Sequence, residues 1–281
     1  RTAQPGGSAM TLLAATRSEY TKQFSTAGWW VLGIVLVVYV AFTSGVLAFV
    51  FGGVASGRLT GASGPAPATD GIPELVYSSA TAVGYVFPLL IGTLMVTTEF
   101  RHKTLTPTFL ATPRRGVVLV GKFVVGILIG LLYGVLGSAA SIAAGAGVLG
   151  FFGIDTALGS PDTWTLVGRM LLAYALWALV GIGVGTVVRN QVAAIVIVLA
   201  VTLFVEPIVR TVGGVVEGFA DVVKWFPSAA SDALVGQTIF GAIGSGGGGT
   251  LEWWAGGLVL LGYAVVLLVI GLFTTWRRDI D

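Results

Sequence analysis

Six apolar runs dominate the pattern of this chain, near residues 28–52, 76–97, 117–150, 164–188, 191–212 and 253–276. Each is long enough to cross a hydrocarbon core of about 30 Å, which takes roughly 20 helical residues. The third run is long for one span. It predicts a tilted helix, or a helix whose end past Gly145 runs into a loop. The fourth and fifth runs are separated only by Arg189, Asn190 and Gln191, which predicts a tight helical hairpin. Pro88 predicts a kink in the second.

Two further stretches carry helical patterning without spanning length. In TLLAATRSEYTKQFSTA (11–27), Leu13, Tyr20 and Phe24 share one helical face while Arg17 and Lys22 point elsewhere. This predicts an amphipathic helix on the membrane surface. In the segment 213–250, VVEGFADVVKWF (215–226) keeps a roughly helical spacing until Pro227 stops it. LVGQTIFGAI (234–243) is apolar again, and GSGGGGT (244–250) reads as a flexible link. Two short helices at the outer leaflet are expected there. Residues 1–10, RTAQPGGSAM, read as an unstructured leader, with Met10 as the candidate native start. The organisation is therefore a leader (1–10), a surface helix (11–27) and a single six-span domain (28–281). The fold class is an all-α membrane protein.

Composition narrows the chemistry. The chain is 55% hydrophobic and 10% charged, against about 25% charged in soluble domains. The bilayer must be part of its solvent. It has no Cys and one His, His102. Disulfide, iron–sulfur, thiolate and multi-histidine metal chemistry are excluded. No catalytic cluster is visible, so the chain is not expected to be an enzyme, and no nucleic-acid partner is expected.

The charges are asymmetric. Of 15 Lys and Arg residues, only Arg58, Arg169, Arg210 and Lys224 fall on the side opposite the N-terminus. The positive-inside rule then places both termini in the cytoplasm. Trp29, Trp30, Trp253, Trp254 and Trp276 stand at span ends, as interfacial aromatics do.

One polar stretch interrupts the apolar pattern with more than topology. EFRHKTLTPTFLATPRR (99–115) lies between the second and third spans. Thr98 and Thr104 are fair caps and Pro107 and Pro113 are breakers, so short helices are expected around 98–105 and 106–112. Arg114, Arg115 and Lys122 need only the positive-inside rule. Glu99 needs more, because topology asks for no acid at this membrane edge. It is a candidate docking contact to a cytoplasmic partner. It is expected to be solvated, so that Glu99→Ala spares the fold.

Other motifs carry blander readings. GVVLVGKF (116–123) nearly matches a phosphate-binding loop, but Phe123 replaces the hydroxyl residue and the run opens a membrane span. This chain is read as having no ATP site. Gly126, Gly130, Gly134 and Ser138, and Gly181 with Gly185, form small-residue stripes that suit close packing within the chain. Glu206 and Arg210 end the fifth span. They form a candidate exit pair one turn apart, with interfacial solvation as the alternative. Arg169 is placed to snorkel outward.

The residues Glu99, Phe100, Arg101, His102, Lys103 and Thr104, then Leu110 to Arg115, then Lys122, resemble the coupling segment of ABC type-2 exporter permeases. In that family a Glu, an Arg and a Gly-Thr pair precede a Leu-x-Thr-Pro stretch and a Lys; here Lys103 stands where Gly is common. Arg17, Ser18, Glu19, Tyr20, Thr21 and Lys22, followed by Trp29 and Trp30, are similar to the family's membrane-surface helix. The resemblance covers the chain in outline and about 40 residues in motif. It implies six spans, a cytoplasmic coupling helix within the loop 98–116 and a bacterial plasma membrane. Two copies of a separate ATP-binding subunit, holding ATP and Mg, would dock at 99–104. A second membrane subunit, identical or related, would complete the assembly. The substrate would be lipophilic or amphipathic, moved outward. A secondary transporter and a non-transporting regulator using the same loop are the alternatives. The first is disfavoured because the spans are read as lacking the buried Asp, Glu or Lys that proton or sodium coupling requires.

Overall fold

The computed structural model describes residues 12–59, 71–102, 115–216, 218–236 and 251–276. Every regular element among them is helical. Six helical stretches are long and apolar enough to cross a membrane: Gly28–Ala55, Ile72–Arg101, Gly116–Phe151, Pro161–Val187, Gln191–Gly213 and Trp253–Thr274. The chain is a multi-pass membrane protein.

A short helix α1 (Leu12–Phe24) leads by a tight corner into the first span, α2 (Gly28–Ala55). Trp29 Nε1 donates to the Phe24 carbonyl at 3.1 Å, and Tyr133 Oη donates to the Trp29 carbonyl at 2.6 Å, which pins the corner to the third span. The second span is broken into α3 (Ile72–Tyr77), α4 (Ser79–Gly84) and α5 (Val86–Arg101). Pro88 lies in the first turn of α5, where a proline is tolerated, and α5 begins just before it, after Tyr85. Carbonyls at these breaks find side-chain donors. Ser141 Oγ lies 2.9 Å from the Tyr77 oxygen, and Tyr174 Oη donates to the Ala80 oxygen at 2.6 Å. This is how a membrane helix tolerates interruption.

The third span, α6 (Arg115–Phe151), is one helix of 37 residues. The loop expected past Gly145 is not there. Gly145 instead lets α6 approach Val76, Ser44 and Tyr77 closely, so tertiary packing extends the helix. The fourth span, α7 (Pro161–Val187), is the central element, with α5, α6 and the sixth span α12 (Trp253–Gly271) packed around it. Asn190 caps α8 (Gln191–Ala200) through Val192 and Ala193 N–H, which closes the expected hairpin. The fifth span continues through a π-helical turn (Val201–Val205) into α9 (Glu206–Val215).

Beyond it lie α10 (Ala220–Val223) and α11 (Pro227–Val235). Of the two expected helices, the first is shortened to α10 within 215–226, and the second, 234–243, falls outside the described residues beyond Gly236. Pro227, expected only as a stop, opens α11, as its fixed φ and missing N–H suit an opening turn. Residues 237–250, including the flexible link, lie outside the described residues, as do the leader and residues 103–114.

Glycine brings the central helices together. A Cβ at Gly92 would strike the Ala178 carbonyl of α7, and one at Gly181 would strike the Leu89 carbonyl of α5. On α6, a Cβ at Gly130 would lie 2.8 Å from the Ala175 Cα. The small-residue stripes therefore serve packing within the chain. We predict that Gly181→Val lowers stability by about 1–3 kcal/mol through overpacking. Gly168→Ala, where nothing lies within 4 Å of the added carbon, is expected to leave it unchanged or slightly raised. Thermal unfolding in lipid nanodiscs compares the two.

Candidate functional site

The residues singled out in the surface helix and before the coupling stretch converge at the α1 end of the bundle. Gly121 of α6 lets α1 approach within van der Waals contact: a Cβ there would meet the Ala15 and Thr16 backbone at 3.3 Å. Ala15 and Glu19, one turn apart, form the buried face of α1. Immediately beside them, Lys122 is fully buried.

Four charged side chains close into a ring. Lys122 Nζ donates to Glu19 Oε2 at 2.5 Å and pairs with Glu99 Oε1 at 2.8 Å. Lys22 Nζ donates to Glu19 Oε1 at 2.8 Å and to Glu99 Oε1 at 3.0 Å. Cations and anions alternate, and the ring is neutral overall. Glu19, Glu99 and Lys122 are buried, while the Lys22 side chain is 39% exposed. Burial alone would lower the Lys22 ammonium. The carboxylates of Glu99 and Glu19 outweigh it and hold it above its usual 10.5. A raised lysine contributes its stability fully at neutral pH and loses it only as pH climbs through that raised value.

This geometry corrects two expectations. Glu99 is not solvated: it is 6% exposed and bound to two lysines of its own chain. Lys122 is not a topology residue either, because a buried ammonium must be paired. The Gly-Lys pair that imitated a phosphate loop thus has a packing role at Gly121 and an ion-pairing role at Lys122.

The other named residues divide by position. Arg17 and Tyr20 are exposed; Tyr20 stacks on Phe24 with ring centroids 4.3 Å apart. Leu13 is also exposed, which leaves it and Tyr20 free to meet lipid. Phe100 is half-buried, and Arg101 and His102 are exposed. Arg101 reaches Gln191 Oε1 at 3.3 Å, joining the ends of the second and fifth spans. Lys103 and Thr104 lie outside the described residues.

At the opposite end, Glu206 is buried rather than interfacially solvated. It accepts hydrogen bonds from Tyr85 Oη at 2.7 Å and from Ser228 N at 3.2 Å. Arg210 pairs with Asp232 at 2.5 Å. The premise that the spans lack a buried ionisable group is overturned by Glu206 and Lys122. Sequence reasoning missed Tyr85, Ser228 and Asp232. The available signal was Pro227, which marks a helix start facing the end of the fifth span. Arg169 does not simply snorkel; its guanidinium sits 5.1 Å from the centre of the Trp253 ring. Among the described residues no group of three or more His, Cys, Asp or Glu side chains is placed to hold a metal ion.

Compared with models of known protein families and with curated proteins, the chain matches none.

Removing one member of a buried ion pair costs about 3–5 kcal/mol. Lys122→Met is expected to destabilise by that order, and Glu99→Ala to weaken the seating of α1 instead of sparing the fold. Removing the pair together, Glu19→Gln with Lys122→Met, leaves the neutral Lys22–Glu99 pair and should cost less than the two single changes added, as a double-mutant cycle measured by thermal unfolding would show.

Proposed function

We propose that this chain is the membrane-spanning permease subunit of an ATP-driven exporter of the ABC type-2 kind. It sits in a bacterial plasma membrane with both termini cytoplasmic and moves a lipophilic or amphipathic substrate outward. A separate ATP-binding subunit, present in two copies, holds ATP and Mg. A second membrane subunit completes the assembly.

The observation that carries the reading is the charge ring. It ties α1, the end of the second span and the start of the third together where the segment 103–114 departs. A force applied to that segment would reach three elements at once. Exposed Arg101 and His102 stand at its root and offer donors to a docking groove. Glu99 acts from within, by holding the root of the segment in place.

Buried Glu206 in the fifth span favours a second reading, a secondary transporter coupled to protons. The two separate cleanly in membrane vesicles. The exporter requires ATP and its ATPase subunit, whereas the secondary transporter stops when the proton gradient is collapsed.

The test of docking uses the exposed residues. Purified in mild detergent from its native membrane, the chain should bring down an ATPase subunit in stoichiometric amount. The double variant Arg101→Ala, His102→Ala should lose about 90% of that ATPase, the effect of roughly 1.4 kcal/mol, while inserting normally. If no ATPase co-elutes under several mild conditions, the exporter reading is wrong.

A further inference from the structure

The polar node at the far end has a geometry that the transport reading does not require. Phe226 precedes α11 and offers no side-chain cap. The N–H of Ser228, second residue of that helix, is satisfied from elsewhere, by Glu206 Oε1 of the fifth span at 3.2 Å. A carboxylate at a helix N-terminus is favoured by both the free N–H groups and the helix dipole. One turn on from Glu206, Arg210 donates to Ser228 Oγ at 3.0 Å and pairs with Asp232. The fifth span thus grips α11 at its start and its middle.

The same carboxylate is tied to the second span. Glu206 Oε2 accepts from Tyr85 Oη at 2.7 Å. Tyr85 sits at the break between α4 and α5, where the helix is already interrupted. Its ring packs on Trp177 with centroids 4.5 Å apart, and Trp177 Nε1 donates to Ser231 Oγ of α11 at 3.0 Å. On its other side α11 lies against the sixth span, where a Cβ at Gly256 would strike the Ala230 carbonyl. Ala230 and Leu234 are fully buried there.

The fifth span turns much of its surface outward and is irregular next to this site. Val192, Val196, Leu203, Phe204 and Ile208 are exposed along it. Directly before Glu206 it makes a π-helical turn, and Pro207 follows. π-turns interrupt the regular hydrogen-bond pattern and recur at functional sites.

We infer that Glu206 is a removable helix cap: the fifth span lends it to α11, and the Tyr85 hydroxyl latches it, holding α11 closed against the fourth and sixth spans. Losing the Tyr85 contact frees the carboxylate from the second span at this end, and α11 loosens with it. The release of α11 stands apart from the exporter reading; only its use as an outer gate rests on that reading.

The chain has no cysteine, so single cysteines report without background. Leu234→Cys reports on α11, Met170→Cys on the buried centre of α7, and Gly159→Cys on an exposed loop. Each is placed in the full chain in lipid nanodiscs and treated with a water-soluble maleimide. In the otherwise native chain, Leu234→Cys and Met170→Cys should stay unlabelled while Gly159→Cys reacts fully. Tyr85→Phe should speed labelling at position 234 by roughly tenfold or more, as for loss of a hydrogen bond to a charged group. Glu206→Ala should do at least as much, with position 170 still protected in both. Unchanged labelling at 234 in the two variants overturns the latch. So does ready labelling of 234 in the native background, or joint labelling of 234 and 170, which reports general loosening.

Discussion

A lysine ammonium buried in a membrane-spanning helix needs its counter-charges in contact, and Lys122 imposes that need on two other elements. Its two carboxylates come from α1 and from the end of the second span, and the second lysine that balances them comes from α1 as well. An incomplete ring would leave an uncompensated charge away from water, which is costly. The four groups therefore assemble together or not at all. This explains how α1, a helix of 13 residues, is ordered. Alone, a helix of that length is marginal in water. Here the ring and the Ala15–Gly121 contact hold it.

Much of the polar chemistry among the described residues gathers where helices stop, break or change pitch. The charge ring forms where α5 ends and α6 begins. The Glu206 node forms at the Tyr85 break and the π-turn. Ser44, Ser79 and Ser141 meet near the break at Ser78, close to carbonyls that the break leaves free. Between these nodes the helices touch mainly through glycine and aliphatic surface, with a hydroxyl bond where Thr93 Oγ1 donates to the Gly181 carbonyl at 3.1 Å. That division follows from the solvent: an unpaired polar group in hydrocarbon is too costly to keep, so polar groups gather where interrupted backbone can use them.

The spans, the hairpin at Asn190 and the presence of helix α1 were legible because apolar run length, helical spacing and capping residues are local signals. Glu99 and Glu206 were legible as anomalies, since charge near an apolar run has no topological reason to be negative. Their partners were not legible. Lys122 obeyed the positive-inside rule and so carried no excess signal. Lys22 read as pointing away from the apolar face of a surface helix and Glu19 signalled no partner, while their reach to Glu99 of α5 and to Lys122 of α6 depends on how α1 folds back onto α6. Tyr85 and Ser228, which lie 121 and 22 positions from Glu206, and Asp232, which lies 22 from Arg210, meet them only after folding. The length of α6 was ambiguous because Gly145 reads as a stop locally, yet serves as a close contact in three dimensions.

That uninterrupted third span has a mechanical meaning. Its first turns carry Gly121 and Lys122, seated in the charge ring, and its last carry Leu149, packed beside Gly52 of the first span. At about 1.5 Å rise per residue, 37 residues make a strut of about 55 Å. A change of about 5° in its tilt would displace one end by about 5 Å relative to the other. The second and fifth spans, broken or loosened along their length, can absorb a local shift. The third can only pass it on, so whatever moves the ring at one face of the membrane is felt at the other.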